Sequence, residues 1–374
     1  MPDHRVALIG LGEAGFGLHL PALAGLAGAS IVGAVDTDAG RRARAAARYG
    51  IPVYDDFDAM LAAGSADVVI VATPPDSHAE YVVRSLSAGA HVICEKPFVS
   101  SVAEADRVIA AAAAAGRQIA VNHEFPEMPI FRTLIEHVQH PASGDLRFAQ
   151  VWQLIHLPPG VESGWRGQTA HRTLFEAGVH LVDLLMVMFR EKPMSVQAST
   201  SGAAGAVQAD AVVLATLEFS RGRLAHLLQN RICSGERQYF EVRADTEHAS
   251  FRASFGGRAR LSTGLFRSRT PHVRWEYGSS GIAWREDGVR RRQLARNPAN
   301  PNVVGTREVL RDALAAFARN VAPRCGAHRA RDVIETVAAC YLSAMTGQRV
   351  KLDGSELSRV RNLHMGAAAS PVNA

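Results

Sequence analysis

Short runs of apolar residues alternate with helical stretches over the first third of the chain. The runs are apolar at nearly every position, which is typical of strands buried on both faces of a parallel sheet. They lie at residues 5–10, 30–36, 66–73, 90–96 and 117–122. Because helical stretches separate them, the pattern predicts a doubly wound parallel α/β domain over residues 1–122.

The pattern changes after this region. From Leu146 the apolar segments become longer and more mixed, and several follow one another with only turn residues between them. This arrangement predicts antiparallel pairing. A helix is predicted over about 173–190, and two closing helices lie within 306–346. We therefore expect an α+β domain with a mostly antiparallel open sheet over 123–365, and a flexible tail over 366–374.

Length and composition agree with a globular chain of two domains. The 374 residues are 47% hydrophobic and 21% charged, and a domain usually has about 150 residues. No apolar run reaches the roughly 18 residues of a membrane-spanning helix, and the N-terminus does not have the pattern of a signal peptide. The four cysteines show no metal or redox spacing. We therefore expect reduced thiols, no metal site and a cytoplasmic location.

Most of the net charge of +5 comes from one segment. Residues 255–298 contain ten arginines and three acidic residues. A basic stripe can bind nucleic acid, but these arginines are scattered among glycine, serine and threonine without a nucleic-acid motif. We expect a solvated surface or a subunit contact there, with no nucleic-acid and no membrane partner.

A glycine-rich loop follows the first predicted strand. It consists of Gly10, Leu11, Gly12, Glu13, Ala14 and Gly15. In this GxGxxG pattern the first glycine allows a tight turn, the second lets the backbone approach a pyrophosphate, and the third lets helix and strand pack closely. The following helix start supplies N–H donors to phosphates. The loop predicts dinucleotide binding, and the alternative is a glycine turn in a nucleotide-free domain.

An acidic residue at the end of the second predicted strand indicates which dinucleotide binds. Asp36 stands 21 residues after Gly15. An acidic side chain at this place accepts hydrogen bonds from a ribose diol and repels a 2′-phosphate, so the sequence favours NAD over NADP. Arg41 and Arg42 follow closely in the sequence, so NADP stays an alternative cofactor.

Lysine is scarce in this chain, and Lys96 stands at a strand end. The chain has three lysines, and Glu95-Lys96-Pro97 directly follows the apolar run HVIC. Ligands of an open parallel sheet lie beyond the carboxyl ends of its strands, where an ammonium group can hold a substrate oxygen and move protons. The same tripeptide recurs at Glu191-Lys192-Pro193 after a predicted helix, and we expect no chemical role for that copy.

Glu176, His180 and Asp183 occur at helical spacing within the helix predicted over 173–190. Spacings of four and three place them on one face, amid apolar neighbours. A neutral histidine is a usable base near pH 7, and a carboxylate one turn away can orient it and stabilise its charged form. Alternatively, His180 is a hydrogen-bonded structural histidine and Asp183 is a solvated or capping acid.

Several motifs resemble the Gfo/Idh/MocA oxidoreductases, a family that includes inositol dehydrogenases and glucose–fructose oxidoreductase. The matching pieces are GLGEAG at 10–15, ATPPDSHAEY at 72–81, VICEKP at 92–97, Asn122, Trp165-Arg166, EAGVHLVDL at 176–184 and VIETVAACYLSAMTGQRVKL at 333–352. The resemblance covers nearly the whole chain. It implies an N-terminal Rossmann domain, a C-terminal substrate domain, and a homodimer or homotetramer formed through the open sheet.

The resemblance also implies roles for particular residues. The residues matched to the cofactor are those of the glycine loop, Asp36, Thr73, Pro74, Pro75, His78, Glu95, Lys96 and Asn122. Glu95 would lie near the nicotinamide ribose. Lys96 matches the catalytic lysine and His180 the acid/base histidine. The residues expected at the substrate are Lys96, Trp165, Arg166, His171, Arg172 and Asp183.

Two positions depart from the family pattern. The family often has aspartate four residues before the histidine, where this chain has Glu176, and a glycine triplet before that acid, where this chain has Ala170-His171-Arg172. Side chains therefore stand where bare backbone usually faces the substrate. We hypothesise that His171 and Arg172 line the pocket and favour a polar or anionic substrate. The alternative is a rerouted loop with both residues on the surface.

Together these features predict an NAD(P)-dependent oxidoreductase acting on a secondary alcohol or ketone of a sugar, cyclitol or related small molecule. His180 would take the hydroxyl proton, and Lys96 would stabilise the developing oxyanion. Glu176 would orient His180 or a substrate hydroxyl. Two alternatives stay open, namely a non-catalytic dinucleotide-sensing regulator on the same fold and a redox-neutral sugar enzyme that recycles NAD.

Overall fold

The structure, a computed structural model, divides the chain into two compact units. It describes residues 3–63, 66–156, 166, 169, 171–202, 209–234, 238–256, 260–263, 273–276, 281–287, 290–354 and 356–366. Unit 1 comprises the described residues within Met1–Glu127, Asn302–Ala338 and Ser358–Ala374. Unit 2 comprises those within Met128–Pro301 and Ala339–Leu357. Each unit is therefore built from more than one stretch of the chain.

Unit 1 contains a six-stranded parallel sheet. Its strands are β1 (His4–Ile9), β2 (Ala29–Val35), β3 (Val53–Tyr54), β4 (Val68–Val71), β5 (His91–Cys94) and β6 (Ile119–Val121). Their order is β3-β2-β1-β4-β5-β6. The strand order reverses at β1, so the carboxyl ends of β1 and β4 flank the crevice where open α/β sheets bind ligands. The predicted doubly wound α/β fold is confirmed.

Helices connect the parallel strands and also occur later in the chain. They are α1 (Leu20–Leu23), α2 (Ala39–Tyr49), α3 (Phe57–Ala62), α4 (His78–Ser87), α5 (Val102–Ala115), α6 (Pro129–Val138), α7 (Val179–Phe189), α8 (Pro301–Phe317), α9 (Ala327–Thr346) and α10 (Leu357–Asn362). Asp38 and Ser101 cap the starts of α2 and α5, and Gly50 and Gly116 end them in the left-handed conformation. Among the described residues, none of the helices combines the length and apolar composition that crossing a membrane would require.

The chain between β1 and β2, where one helical stretch is expected between the apolar runs, does not form a single helix. A π-helical turn at Gly15–His19 comes first, and α1 then ends at Leu23. Such turns widen the backbone spiral and are frequent at functional sites. The turn carries His19 to a fully buried position.

The first closing helix packs in unit 1, although the sequence pattern predicts it in the second domain. Leu310, Ala313, Leu314 and Phe317 of α8 join the apolar cluster formed around the parallel strands. The ring of His4 on β1 also lies within hydrogen-bond distance, 3.1 Å, of the Leu314 carbonyl oxygen. The sequence shows which side of a helix is apolar, but it does not show which sheet that side covers.

Unit 2 contains a nine-stranded sheet. The strands after β6 are β7 (Leu146–Ile155), β8 (Ser195–Gly202), β9 (Asp210–Phe219), β10 (Arg223–Asn230), β11 (Gln238–Thr246), β12 (Ser250–Gly256), β13 (Arg260–Thr263), β14 (Val273–Glu276), β15 (Ile282–Asp287), β16 (Arg290–Arg296) and β17 (Val350–Lys351). The order is β16-β15-β12-β11-β7-β10-β9-β8-β17, and β13 pairs with β14 separately. Only β7 and β10 pair in parallel within the described sheet. The predicted mostly antiparallel sheet is confirmed.

The two faces of this sheet differ in exposure. The inner row across β7, β10 and β9 is Val151, Leu227 and Ala215, all buried. The adjacent outer row is Trp152, Leu228 and Leu214, all partly or largely exposed. Leu214 is 45% exposed and Leu224, on the same outer face, is 42% exposed. Unit 2 therefore presents apolar side chains on the face of the sheet opposite its core.

Candidate active site

Two glycines of the loop after β1 are required by close packing. Gly10 has a φ of +93°, and a Cβ there would lie 2.5 Å from the carbonyl oxygen of Ala72. A Cβ at Gly15 would collide with the carbonyl oxygen of Gly10. At Gly12 the nearest atom to a Cβ would be a guanidinium nitrogen of Arg41 at 4.0 Å, so this backbone is open. The other loop residues are Leu11, which is buried, and Glu13 and Ala14, which are not.

The carboxylate of Asp36 organises the same loop. Its Oδ2 accepts a hydrogen bond from the backbone N–H of Leu11 at 2.7 Å, and its Oδ1 accepts one from Asp38 at 2.8 Å. A guanidinium nitrogen of Arg41 lies 3.6 Å from Oδ2, and Arg42 donates to the Asp36 carbonyl oxygen at 2.7 Å. One acid and two arginines therefore meet at the end of β2.

Glu95 is the centre of a buried polar network at the ends of β5 and β6. Its Oε1 lies 2.8 Å from Nε2 of His19 and accepts a hydrogen bond from Asn122 Nδ2 at 2.7 Å. Its Oε2 accepts a hydrogen bond from the backbone N–H of Lys96 at 3.1 Å. Asn122 also donates to the hydroxyl of Thr306 at 3.3 Å. The carboxylate is therefore held from both sides in a position shielded from water.

Two opposing effects set the pKa of Glu95. Burial alone would raise the pKa, but the hydrogen bond from His19 and the charges of His19 and Lys96 outweigh burial and lower it to about 2. Glu95 is therefore ionised near neutral pH and can accept hydrogen bonds. His19 is absent from the predicted site residues, and the one indication in the sequence was a histidine within an apolar stretch after the glycine loop.

Two atoms of this network have no hydrogen-bond partner among the described residues. They are Nδ1 of His19 and Oδ1 of Asn122. Buried polar atoms are normally paired, so these two indicate where a bound molecule can complete the network. Together with the open backbone of Gly12 and the carboxylate of Asp36, they fit a dinucleotide, whose groups include phosphates, ribose hydroxyls and a carboxamide.

His78 ties two segments of unit 1 together. Its ring is fully buried, with Nδ1 2.9 Å from the Pro97 carbonyl oxygen and Nε2 2.8 Å from the Thr73 carbonyl oxygen. Burial lowers the pKa of His78 in spite of these carbonyl contacts. The ring therefore fixes the backbone after β4 to the turn after Lys96. Around it, Pro75 is buried, Thr73 and Lys96 are half-buried and Pro74 is exposed.

In unit 2 the predicted helix of Glu176, His180 and Asp183 has two parts. A π-helical turn spans Thr173–Gly178, and α7 follows. Glu176 therefore belongs to a wider turn than the α-helical spacing assumed. His180 is 5% exposed. Asp183 is fully buried, so its interpretation as a solvated acid is wrong.

Asp210, at the start of β9, caps this helical segment. Its Oδ1 accepts hydrogen bonds from the backbone N–H groups of Arg172 and Thr173, and its Oδ2 accepts one from the Tyr341 hydroxyl at 3.0 Å. A carboxylate at a helix start pairs with free N–H groups and with the positive end of the helix dipole. The ring of Tyr341 lies against His171, with 4.5 Å between centroids. Sequence reasoning missed Asp210 and Tyr341 because these contacts join distant parts of the chain.

Three arginines surround the carboxylate of Glu176. Its Oε1 accepts a hydrogen bond from Arg166 Nε at 2.5 Å. Its Oε2 accepts one from Arg231 at 3.1 Å and lies 3.6 Å from Nε of Arg172. Burial, followed by the positive charge of Arg231, lowers the pKa of Arg172 to about 10. Arg172 is 4% exposed and His171 is half-buried, so the alternative with both side chains on the surface is wrong.

Three other predictions concern residues outside these networks. Glu191-Lys192-Pro193 follows the end of α7, and Glu191 pairs with Arg223 and Ser220. Trp165 lies outside the described residues. Within the part of the chain that the structure describes, no three His, Cys, Asp or Glu side chains are grouped so that they could hold a metal ion.

Family profiles match two segments of the chain. Residues 4–123 match an oxidoreductase family with an NAD-binding Rossmann fold, Gfo/Idh/MocA. Residues 131–250 match the Gfo/Idh/MocA C-terminal domain, so that the two matches cover well over half of the chain. The chain belongs to the Gfo/Idh/MocA oxidoreductase family. The resemblance seen in the sequence is thereby confirmed, and NAD is the cofactor of this family's N-terminal domain.

Individual family members are similar over different shares of the chain. The chain is 31% identical over 188 residues to an inositol 2-dehydrogenase of Leifsonia xyli, covering 49% of this chain and 53% of the relative. It is 26% identical over 203 residues to a 1,5-anhydro-D-fructose reductase of Ensifer adhaerens, covering 53% and 61%. The chain therefore spans roughly half to three fifths of these relatives. GenD2 from gentamicin A biosynthesis, solved with NAD, has the same fold, with a TM-score of 0.78, 22% identity, and coverage of 95% of this chain and 97% of that one.

Replacing Asp36 by Ser should shift cofactor preference from NADH towards NADPH. The change removes a negative charge and leaves Arg41 and Arg42 to attract a 2′-phosphate. Hydrogen bonds to charged groups contribute about 1.5–3 kcal/mol, so we expect NADH affinity to fall by about tenfold or more. Fluorescence titrations with NADH and NADPH measure both dissociation constants. Asp38→Ser, which keeps a capping hydroxyl two residues away, is the control, and an unchanged affinity ratio in the Asp36 variant would contradict this role.

Replacing His19 by Ala should make NADH binding sensitive to mild acid. In the wild type, the pKa of about 2 keeps Glu95 ionised well below neutral pH. Removing His19 removes the largest effect that lowers the pKa of Glu95. Burial then raises this pKa, so the carboxylate becomes protonated as the pH falls. We expect NADH affinity to fall between about pH 7 and pH 5 in the variant only. His4→Ala is the control, and parallel pH profiles for wild type and variant would count against this account.

Proposed function

We propose that this protein is an NAD-dependent oxidoreductase that transfers a hydride between nicotinamide and a secondary alcohol or ketone of a sugar, cyclitol or related small molecule. The observation that carries the proposal is the buried network of Glu95, His19 and Asn122 beside Lys96. It supplies a fixed carboxylate and an ammonium group at the carboxyl ends of parallel strands. The family and the names of its members, an inositol dehydrogenase and an anhydrofructose reductase, support the same reaction class.

In the proposed enzyme several side chains and one stretch of bare backbone hold the cofactor. Gly12 admits the pyrophosphate, Asp36 accepts hydrogen bonds from the adenosine ribose, and Glu95 accepts them from the nicotinamide ribose. The further cofactor residues are Thr73, Pro74, Pro75 and Asn122. Bound nicotinamide supplies the hydride chemistry, and the protein supplies position and electrostatics. The charge of Asp36 favours NAD over NADP.

Proton handling is assigned to His180 and Lys96. His180 takes the proton of the substrate hydroxyl during oxidation and returns it during reduction. The ammonium group of Lys96 donates a hydrogen bond to the same oxygen and stabilises its developing negative charge. Glu176 orients His180 or a substrate hydroxyl, and buried Asp183 supports the helix face that carries them. The further substrate residues are Trp165, Arg166, His171 and Arg172.

Replacing Lys96 by Met should abolish most turnover while cofactor binding persists. We would incubate the protein with NAD or NADP and a panel of sugars, cyclitols, amino sugars and sugar acids, and follow absorbance at 340 nm. We expect the wild type to form NADH and the variant to lose at least about a hundredfold in kcat, because electrostatic stabilisation of the oxygen is lost. NADH affinity should stay within about threefold. Lys192→Met, in the second copy of the tripeptide, is the matched control and should keep the wild-type rate.

Each other outcome of this assay leads to a different conclusion. A near-normal kcat in Lys96→Met would remove this lysine from the mechanism. Substrate conversion without a net change in NADH would favour redox-neutral chemistry with recycled NAD. No turnover of any substrate, despite tight NADH binding, would favour a regulator that senses the dinucleotide.

We propose that the exposed apolar face of the unit 2 sheet pairs with a second copy of the chain. The outer row of Trp152, Leu228 and Leu214 crosses three central strands, and burying such a row is favourable. Replacing Leu214 by Glu should convert a dimer or tetramer to a smaller species in light scattering after size exclusion. Met345→Glu, at a 65% exposed position on α9, is the control. A monomeric wild type would contradict the proposal.

A further inference from the structure

One helix from a distant part of the chain contacts the buried network of Glu95. Thr306 of α8 is fully buried, and its hydroxyl accepts a hydrogen bond from Nδ2 of Asn122 at 3.3 Å. The same nitrogen donates to Oε1 of Glu95 at 2.7 Å. A side-chain amide nitrogen carries two N–H donors, so both of them are used within unit 1. The orientation of the Asn122 amide is therefore set by a carboxylate on one side and by a hydroxyl on the other.

This orientation determines what Asn122 can offer to a ligand. Its Oδ1 is buried and has no hydrogen-bond partner among the described residues. An amide oxygen only accepts hydrogen bonds, so it selects a donor. Glu95 is ionised near neutral pH because its pKa is lowered to about 2, so its oxygens also only accept. This part of the network therefore presents acceptors, which fit the ribose hydroxyls and the carboxamide N–H groups of a nicotinamide nucleotide.

Arg307, the next residue of α8, contacts a second part of the same region. Its guanidinium group donates hydrogen bonds to the carbonyl oxygens of Pro21 at 2.8 Å and of Ala22 at 3.0 Å, both in α1. The last carbonyl groups of a helix have no N–H partner within it, and a cation there also interacts favourably with the helix dipole. Because α1 directly follows the π-helical turn that carries His19, Arg307 fixes the end of the segment that brings His19 to Glu95.

We propose that Thr306 and Arg307 are positioning residues of the cofactor site. Thr306 holds the Asn122 amide so that its Oδ1 accepts a hydrogen bond from the bound nucleotide, and Arg307 holds the turn of His19 in place. The proposal rests on the proposed function, because it concerns the network that would receive the nicotinamide nucleotide. No sequence motif indicated either residue, since their contacts join positions 184 and 286 residues apart.

The test is a fluorescence titration of the full chain with NADH at neutral pH. Thr306→Val removes the hydroxyl at nearly constant volume, and we expect NADH to bind at least about threefold more weakly, as the loss of one hydrogen bond predicts. Thr306→Ser keeps a hydroxyl and should bind NADH within about twofold of the wild type. Arg307→Met removes two hydrogen bonds from a charged donor and should weaken NADH binding by about tenfold or more.

Each of these changes has a matched control in unit 1. For Thr306→Val the control is Thr336→Val, because Thr336 is also fully buried and donates its hydroxyl to a backbone carbonyl oxygen of its own helix, α9, at 2.8 Å. For Arg307→Met the control is Arg319→Met, because Arg319 donates to a backbone carbonyl oxygen of α8 at 3.2 Å. Both controls break hydrogen bonds outside the network, so both should keep the wild-type NADH affinity.

Double-mutant cycles separate positioning from a general loss of packing. If Thr306 acts through Asn122, then Thr306→Val should have no further effect on NADH affinity in an Asn122→Ala background. In the same way, the effect of Arg307→Met should shrink in a His19→Ala background. An equally large loss in both backgrounds would overturn the role of the residue concerned. If Thr306→Val does not fold, Thr306→Ala removes the same hydroxyl and takes its place in the cycle.

The outcomes separate this inference from the proposed function. Substrate turnover by the wild type, together with unchanged NADH affinity in Thr306→Val and Arg307→Met, would overturn the inference and leave the function standing. Losses of NADH affinity that are coupled to Asn122 and His19, without turnover of any substrate, would support the inference and count against the function. A loss in Thr336→Val as large as that in Thr306→Val would show a general effect of hydroxyl removal and would overturn the role of Thr306.

Discussion

A carboxylate buried at the end of a parallel strand needs partners, because desolvation opposes its charge. In unit 1 that carboxylate belongs to Glu95, and its partners come from three separate places. His19 comes from the π-helical turn, Asn122 from the end of β6, and the backbone N–H from Lys96. Removing one partner of a buried ion pair typically costs about 3–5 kcal/mol. The path of the glycine loop, the end of β6 and the backbone of the catalytic candidate Lys96 are therefore all linked to this one charge.

In unit 2 the same need for partners applies to two carboxylates, those of Asp210 and Glu176. Asp210 satisfies the backbone at the start of the helical segment, and Glu176 lies inside that segment among guanidinium groups. Asp210 is a fixed structural anion because its oxygens are occupied by N–H and hydroxyl donors from within the unit. Glu176 differs, because its partners are guanidinium groups of side chains, those of Arg166, Arg172 and Arg231. The carboxylate of Asp210 is therefore structural, and that of Glu176 is the one proposed to orient His180 or a substrate hydroxyl.

The sequence predicted those features that depend on short spacings. Gly10 and Gly15 and the strands around them follow from a local pattern of apolar residues and glycines, and the structure requires those glycines for packing. His19 could not be predicted, since its position depends on a π-helical turn that no spacing rule describes. Asp210, Tyr341 and Arg231 were missed because their contacts close loops of tens to more than a hundred residues. The packing of α8 in unit 1 was missed because an apolar helix face does not specify its sheet.

The two departures from the family pattern are explained together by the structure. Arg172 stands where the family often has glycine. Four residues later, Glu176 stands where the family often has aspartate. The two side chains now form an ion pair at 3.6 Å. The extra methylene of glutamate extends the carboxylate by about 1.5 Å compared with aspartate. The longer side chain can therefore contact guanidinium groups on neighbouring segments. A buried arginine without an acid would be strongly destabilising, so the longer acid compensates for the arginine.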